Sequence, residues 1–288
     1  MKTFTLSKLM ASAAVCMVAL SGAAHADPHP DAELIIEGEL QLTTRAEAPA
    51  HLDGALPEIY SGWLFRTDET RSLQMDDFDN PAMLAVEDGA DMWETAEGAA
   101  EQSCADCHGD ASESMKGVRA VMPKVNENGD LWSMEDYVNN CRTERMEADA
   151  WGWNSQDMRN MTSFISLQSR GMPVDVAIDG DAAPFWERGK EMYYTRFGQL
   201  ELSCANCHED SWGMMIRADH LSQGQINGFP TYRLKNAGMV SVHNRFRGCI
   251  RDTRAESFAI GSQEFRELEL YVASRGNGLS VEGVSVRQ

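Results

Sequence analysis

Positive charge is scarce in this chain. Its 288 residues hold 25 Lys and Arg against 45 Asp and Glu, a formal net charge of −20. A surface of that sign repels nucleic acid and anionic lipid and suits cationic protein partners better. Long apolar runs are missing as well. The one candidate, residues 9 to 20, is too short to span a bilayer, so no membrane anchor is expected. Clear period-two strand alternation is also scarce, which leaves helices as the expected building element.

The short apolar run has another use. Lys2 and Lys8 make a basic start, and Ala24-His25-Ala26 matches a secretory cleavage site. Residues 1–26 therefore read as a signal peptide, and the mature chain as a periplasmic protein starting at Asp27. Cys16 leaves with the leader, and six cysteines remain. In an exported protein each needs a role, because unpaired thiols there oxidise.

Residues 27–80 carry Pro28, Pro30, Pro49 and Pro57 and a single hydrophobic stretch, Leu56 to Phe65. They read as an extended N-terminal region with at most a short helix, packed on a following domain or on a partner. His29 and His51 in it read as surface histidines. A helix is expected from Asn80, with Asn80 as cap and Pro81 in the first turn. Met83, Leu84, Val86, Ala90 and Trp93 then follow at helical spacing.

A repeat organises the rest. Glu87, Gly89, Met92, Ser103, Cys104, Ala105, Cys107, His108 and Asp110 recur one hundred residues later. Their counterparts are Glu187, Gly189, Met192, Ser203, Cys204, Ala205, Cys207, His208 and Asp210. Cys141 lies 37 residues after Cys104 and Cys249 lies 45 after Cys204, so the second copy carries an eight-residue insertion. An amphipathic helix follows each of these cysteines, ending near Gly171 and Gly276, each a candidate C-cap. The expected fold is all-α. Two tandem cytochrome c-like domains, residues 81–172 and 173–288, are related by internal duplication and preceded by the extended region.

Cys-x-x-Cys-His is the attachment sequence of c-type haem: two thiols form thioethers and the histidine reaches iron. Cys104, Cys107 and His108 make one motif, and Cys204, Cys207 and His208 the other. Zinc would need a second Cys or His pair in each half, and a redox dithiol would need a βαβ context; neither is present. Two covalent haems c follow. The opposite face of each iron is less constrained. Methionine is the usual ligand, and both copies are rich in it. The second copy adds His220 and His243, whereas the first has no histidine beyond His108. Cysteine is the third option, through Cys141 and Cys249.

Those two cysteines could instead form a disulfide. The stretch Arg245-Phe-Arg247-Gly-Cys249-Ile-Arg251-Asp-Thr-Arg254 argues otherwise, because a disulfide gains nothing from four guanidinium groups. A thiolate gains from nearby positive charge and from a metal. Arginine also matches oxyanions through its planar fork of donors. Arg142 and Arg145 stand beside Cys141 in the same way, though less densely.

Two Cys-x-x-Cys-His motifs, a spare cysteine after each, and Arg-Phe-Arg-Gly-Cys-Ile-Arg together resemble SoxA, the dihaem subunit family of the SoxAX complex of bacterial sulfur oxidation. The resemblance covers the mature chain, and the arginine–cysteine element is its most specific part. It implies His108 and Cys141 as axial ligands of the first haem and His208 and Cys249 as those of the second. It implies a persulfide on Cys249 and substrate binding by Arg245; Arg247 is a further candidate. The implied enzyme is an L-cysteine S-thiosulfotransferase. Thiosulfate is oxidatively coupled to a cysteine of the SoxYZ carrier, a monohaem SoxX is the partner subunit, and a soluble cytochrome c accepts the electrons. A thiosulfate dehydrogenase forming tetrathionate, or a plain dihaem electron carrier, are the competing functions.

Overall fold

The computed structural model describes residues 29, 31–217 and 219–288. The leader assigned to residues 1–26 lies outside them. The N-terminal region is built from short pieces. Leu34–Ile36 pairs antiparallel with Leu40–Leu42, and Arg45–Glu47 with Glu58–Tyr60. A 3-10 turn over Gly62–Phe65 follows, then helix α1 (Asp68–Met75). The hydrophobic stretch is what anchors this region: Leu56, Ile59, Trp63, Leu64 and Phe65 are all buried. Its partner is the end of the chain. Ser280 N donates to Thr43 O and Thr43 N donates to Ser280 Oγ, both at 2.9 Å. His51 is not a surface histidine. It stands edge-on to the Trp186 ring at 5.7 Å, and burial lowers its pKa.

Helix α2 (Met83–Glu94) starts three residues after Asn80, whose Oδ1 accepts from Ala82 N and so caps the turn ahead of it. Helices α3 (Cys104–His108), α4 (Ala111–Ser114), α5 (Met134–Glu144) and α6 (Gln156–Leu167) follow. After the linker come α7 (Ala183–Tyr194), α8 (Cys204–His208), α9 (Val242–Asp252) and α10 (Gln263–Ser274).

Two helix pairs carry the packing, α2 with α6 and α7 with α10. Each crossing is made at a glycine. A Cβ on Gly89 would meet Asn160 O at 2.5 Å, and one on Gly189 would meet Glu267 O at 2.0 Å. Backbone therefore touches backbone, which only glycine permits. The opposing faces are apolar: Met158, Met161 and Ile165 on α6, and Phe265, Leu268, Tyr271 and Val272 on α10, all buried. Gly171 takes the left-handed conformation expected of a cap (φ 82°). After α10 that conformation appears at Gly278 (φ 95°) rather than at Gly276.

The all-α expectation omitted the eleven short strands found among the described residues. Each has two or three residues, too short to print a period-two pattern in the sequence. The largest sheet has three strands. Thr231–Arg233 lies between antiparallel Gly238–Val240 and parallel Ser285–Arg287, which ties the chain's end to the middle of its second half. Among the described residues no helix is long and apolar enough to cross a membrane.

Candidate functional site: two cysteine-bearing cavities

The motif helices α3 and α8 are five residues long, so their ends decide whether they form. Ser103 Oγ accepts from Asp106 N at 3.1 Å, while Asp106 Oδ2 accepts from Ser103 N at 2.8 Å. Ser203 and Asn206 repeat the reciprocal bonds at 3.3 and 3.1 Å. Each is a capping box, and its acceptor is one of the two variable residues inside Cys-x-x-Cys-His.

The first cavity encloses about 980 Å3 of atom-free space, its mouth included. Cys104, Cys107 and His108 enter it from α3 and Cys141 from α5, with Trp93, Val118 and Ile165 among its apolar walls. The Trp93 ring lies 5.7 Å from His108, and its Nε1 donates to Gly109 O at 3.0 Å. Burial, with the charge of Cys141 as a smaller cause, pushes the Cys104 thiol up to about 11. Cys141 is raised as well; burial outweighs Arg145, which pulls the other way. Arg142 is held by Glu97 at 2.8 Å and lies over the Trp151 ring at 3.7 Å.

The second cavity has about 800 Å3 of such space and a different character. His208 lines it from α8, and Arg245 and Cys249 from α9. Four residues apart on one helix, these two share a face. His208 Nδ1 is 2.7 Å from Ser222 O. A carbonyl only accepts, so Nδ1 carries the proton and the Nε2 lone pair is left for a metal. Burial lowers the His208 pKa to about 4, against that hydrogen bond. Gly224, at φ 80°, closes on the ring: a Cβ there would sit 2.9 Å from His208 Cγ. Cys204 is pushed up to about 12, by burial first and then by Cys249.

Four guanidinium groups line this cavity: Arg66, Arg233, Arg245 and Arg287. Burial and the other three lower Arg66 to about 9, and burial with Arg245 first among the charges lowers Arg233 to about 10. Arg66 pairs with Asp219, Arg287 with Glu282 at 2.6 Å, and Arg233 Nε donates to Gln288 O at 2.8 Å. Arg245 alone of the four has no hydrogen-bond or ion-pair partner among the described residues.

The run of arginines in the sequence is thus dispersed by the helix it forms. Arg247, two residues from Arg245, does not line the cavity, and its Nη2 donates to Asn244 Oδ1 at 2.7 Å. Arg251 and Arg254 are exposed. Arg66, Arg233 and Arg287 replace them, from the N-terminal region, a central strand and the last strand. They are isolated in the sequence, which gave no signal for them, nor for Ser222 and Gly224. Cys141 and Cys249 line different cavities and are not paired with each other. His220 lines the second cavity, whereas His243 is buried against Trp153, 4.7 Å between ring centroids, and bonds Glu269.

The donor sets fit haem c. Two thiols and an imidazole leave one short helix toward the first cavity and Cys141 enters it from a second helix, while His208 and Cys249 line the second cavity from α8 and α9. Zinc fits less well, since among the described residues no group of three or more His, Cys, Asp or Glu could hold a metal ion by itself. What fold and site define is a cytochrome c-type protein with a sulfur-and-arginine pocket. A family model described as SoxA/TsdA, cytochrome c domain, matches residues 88–174. The L-cysteine S-thiosulfotransferase subunit SoxA of Paracoccus pantotrophus is 61% identical over 291 residues, covering all of both chains. The one of Rhodovulum sulfidophilum is 57% identical over 288 residues, again covering all of both. A solved structure described as SoxXA from P. pantotrophus superposes with a TM-score of 0.88, covering 91% of this chain and 100% of that one. The chain belongs to the SoxA family.

Proposed function

We propose that this chain is the dihaem subunit of an L-cysteine S-thiosulfotransferase. It couples thiosulfate to a cysteine of a SoxYZ-type carrier and passes the electrons to a soluble cytochrome c. The observation that carries the reading is the second cavity. A cysteine, a histidine with a free Nε2 and an unpartnered arginine converge there, in a protein that is otherwise strongly acidic. The full-length identity to relatives named for this activity supports it.

The reaction balances as carrier thiol plus thiosulfate giving the S-thiosulfonate, one proton and two electrons. Haem, when bound, supplies the electron acceptor. This chain's residues do the rest. Arg245 holds the sulfonate oxygens through its forked donors. Cys249, one helical turn away, presents its sulfur, persulfidated, beside the outer sulfur of thiosulfate. The Ser222 carbonyl fixes the His208 ring so that Nε2 is left to hold iron when haem is bound, and His108 would hold it in the first cavity. Cys104 and Cys107, and Cys204 and Cys207, would form the thioethers, and Cys141 and Cys249 would hold the irons together with His108 and His208. Arg66, Arg233 and Arg287 keep the pocket positive enough to admit a dianion.

Two haem domains, residues 81–172 and 173–288, related by duplication, accord with the paired glycine crossings and the two capping boxes. Residues 27–80 are an extension that walls the second site. Export to the periplasm by residues 1–26 and pairing with a SoxX-type monohaem cytochrome belong to the same reading. Turnover of the assembled complex with thiosulfate and carrier tests it. Arg245→Gln is expected to lower kcat/KM by at least tenfold with both haems attached, and Arg247→Gln by less than threefold. Equal losses would remove Arg245 from the substrate, and rapid tetrathionate formation without carrier would replace the reaction.

A further inference from the structure

Between the two cavities lies a narrow polar cleft that neither haem attachment nor sulfur chemistry uses. Arg119, Glu135, Thr162, Ser241 and Glu269 line it. Met122 and Met134 line both the cleft and the first cavity, and Phe229 lines both the cleft and the second. It is therefore one side chain away from either site. Its room for a water centre is about 20 Å3. One internal water needs about 10–15 Å3 on that measure and two or more polar partners, so a single water fits.

We propose that this cleft is a proton-binding site, in which one water and the Glu135 carboxyl take up a proton when an electron enters either neighbouring cavity. The inference rests on the reading that both cavities carry haem.

The charges around Glu135 lead to this assignment. Arg119 is buried and donates to the carbonyls of Phe229 and Ile226 at 3.1 Å and of Met122 at 3.3 Å, so no carboxylate touches its guanidinium. Glu269, on α10, accepts from Ser133 Oγ and is 3.1 Å from His243 Nε2. Gly261 N donates to His243 Nδ1 at 3.1 Å. Burial pushes Glu269 up, but the bond and the charge of His243, the bond from Ser133 and, last, the Arg119 charge bring it below its ordinary value. Glu269 is thus the anion of the cleft, facing His243 and Arg119. Asp136, the next residue on α5, is held by Arg266 at 2.6 Å. Glu135 is left over. No side chain among the described residues hydrogen-bonds to it, and no cation is in contact with it. A carboxylate in that position is costly, and protonation is the available remedy. Burial first, and Glu269 second, move it upward accordingly.

An electron delivered to either side adds negative charge next to this acid. The Glu135 carboxylate then binds a proton more tightly. The one bond made is Glu135 O–H, with the proton drawn from solvent through the water in the cleft. The electron comes from the sulfur being oxidised or, in the test, from a chemical reductant.

The test is a potentiometric titration of the holoprotein followed optically between pH 6 and 10, after the iron-to-protein ratio has been measured. Wild type is expected to show at least one midpoint potential that falls with pH, across a window above the ordinary carboxylate range. The limit is one proton per electron, a tenfold change per pH unit or 59 mV. Glu135→Gln, which keeps the shape of the neutral acid, should flatten that slope. It should also remove a protonated-carboxyl band from the reduced-minus-oxidised infrared spectrum. Glu135→Asp should restore both. Potentials independent of pH, or an unchanged slope in Glu135→Gln, overturn the proposal. A ratio below two irons overturns the haem reading beneath it instead.

Discussion

Removing the Glu282 carboxylate should loosen the whole wall of the second cavity. Its side chain is 1% exposed. It accepts from Ser61 Oγ, from Gln74 Nε2 at 2.8 Å, from Asn227 Nδ2 at 3.2 Å and from Arg287 Nη2 at 2.6 Å. Those donors come from the N-terminal turn, α1, the loop over the cavity and the last strand. Glu282→Ala breaks a buried ion pair by deleting one partner, which costs about 3–5 kcal/mol because the other charge stays buried. The loss does not grow to the sum of four bonds. Arg287 keeps Gln74 Oε1 at 2.8 Å and Val286 O at 2.9 Å. With each kcal/mol worth about 2–4 °C in a chain of this size, Tm should fall by roughly 6–20 °C. Asp68→Ala provides the contrast: the Asp68 side chain of its pair with Arg71 is 82% exposed and Arg71 keeps its place over the Trp63 ring, so the change should stay within about 1 kcal/mol. Calorimetry of the holoprotein measures both, and limited proteolysis should release the N-terminal region earlier from Glu282→Ala. If Glu282→Ala unfolds within 2 °C of wild type, the hub assignment is wrong.

Gly189→Ala should destabilise more than Gly89→Ala, because the added Cβ meets backbone oxygen at 2.0 rather than 2.5 Å. Overpacking of this kind costs about 1–3 kcal/mol, and urea midpoints in the reverse order would refute the crossing argument. Gly224→Ala drives a Cβ into the His208 ring and strains a left-handed backbone. It should alter the optical spectrum of one haem while leaving the other as it was; two changed haems, or none, would contradict the geometry. For Glu135 the sign follows from its raised pKa. The unfolded carboxyl releases its proton near its ordinary value of 4.5, whereas the folded one keeps it to higher pH. Wild type therefore loses stability relative to Glu135→Gln as pH rises above that value, until the folded carboxyl also ionises. Urea denaturation at a series of pH values checks this, and a difference that does not change with pH would refute it.

Much of the site was legible in one dimension because covalent haem attachment is local chemistry. Two thiols and a histidine must leave one helical turn, so Cys-x-x-Cys-His states itself, and its repetition one hundred residues on marked the second site. The helices that follow Cys141 and Cys249 were legible because their apolar faces repeat at helical period. The same period misled the reading of the arginines. Arg245 and Arg247 are neighbours in sequence, but a helix turns them to different sides, and only Arg245 keeps company with Cys249.

The sequence by itself determined the two Cys-x-x-Cys-His motifs and their hundred-residue spacing, the Arg245–Cys249 pair and an acidic composition without a long apolar run. Each depends on residues within a turn or two of one another, or on bulk charge. Tertiary structure alone decided that Glu135 shares a cleft with Glu269, which carbonyl orients His208, and which arginines share the second cavity. Arg66, Arg233 and Arg287 meet there because the N-terminal region and the last strand are buried against the second half. That is a consequence of packing Leu56 to Phe65 and joining Glu282 to four distant donors, and no local pattern encodes it.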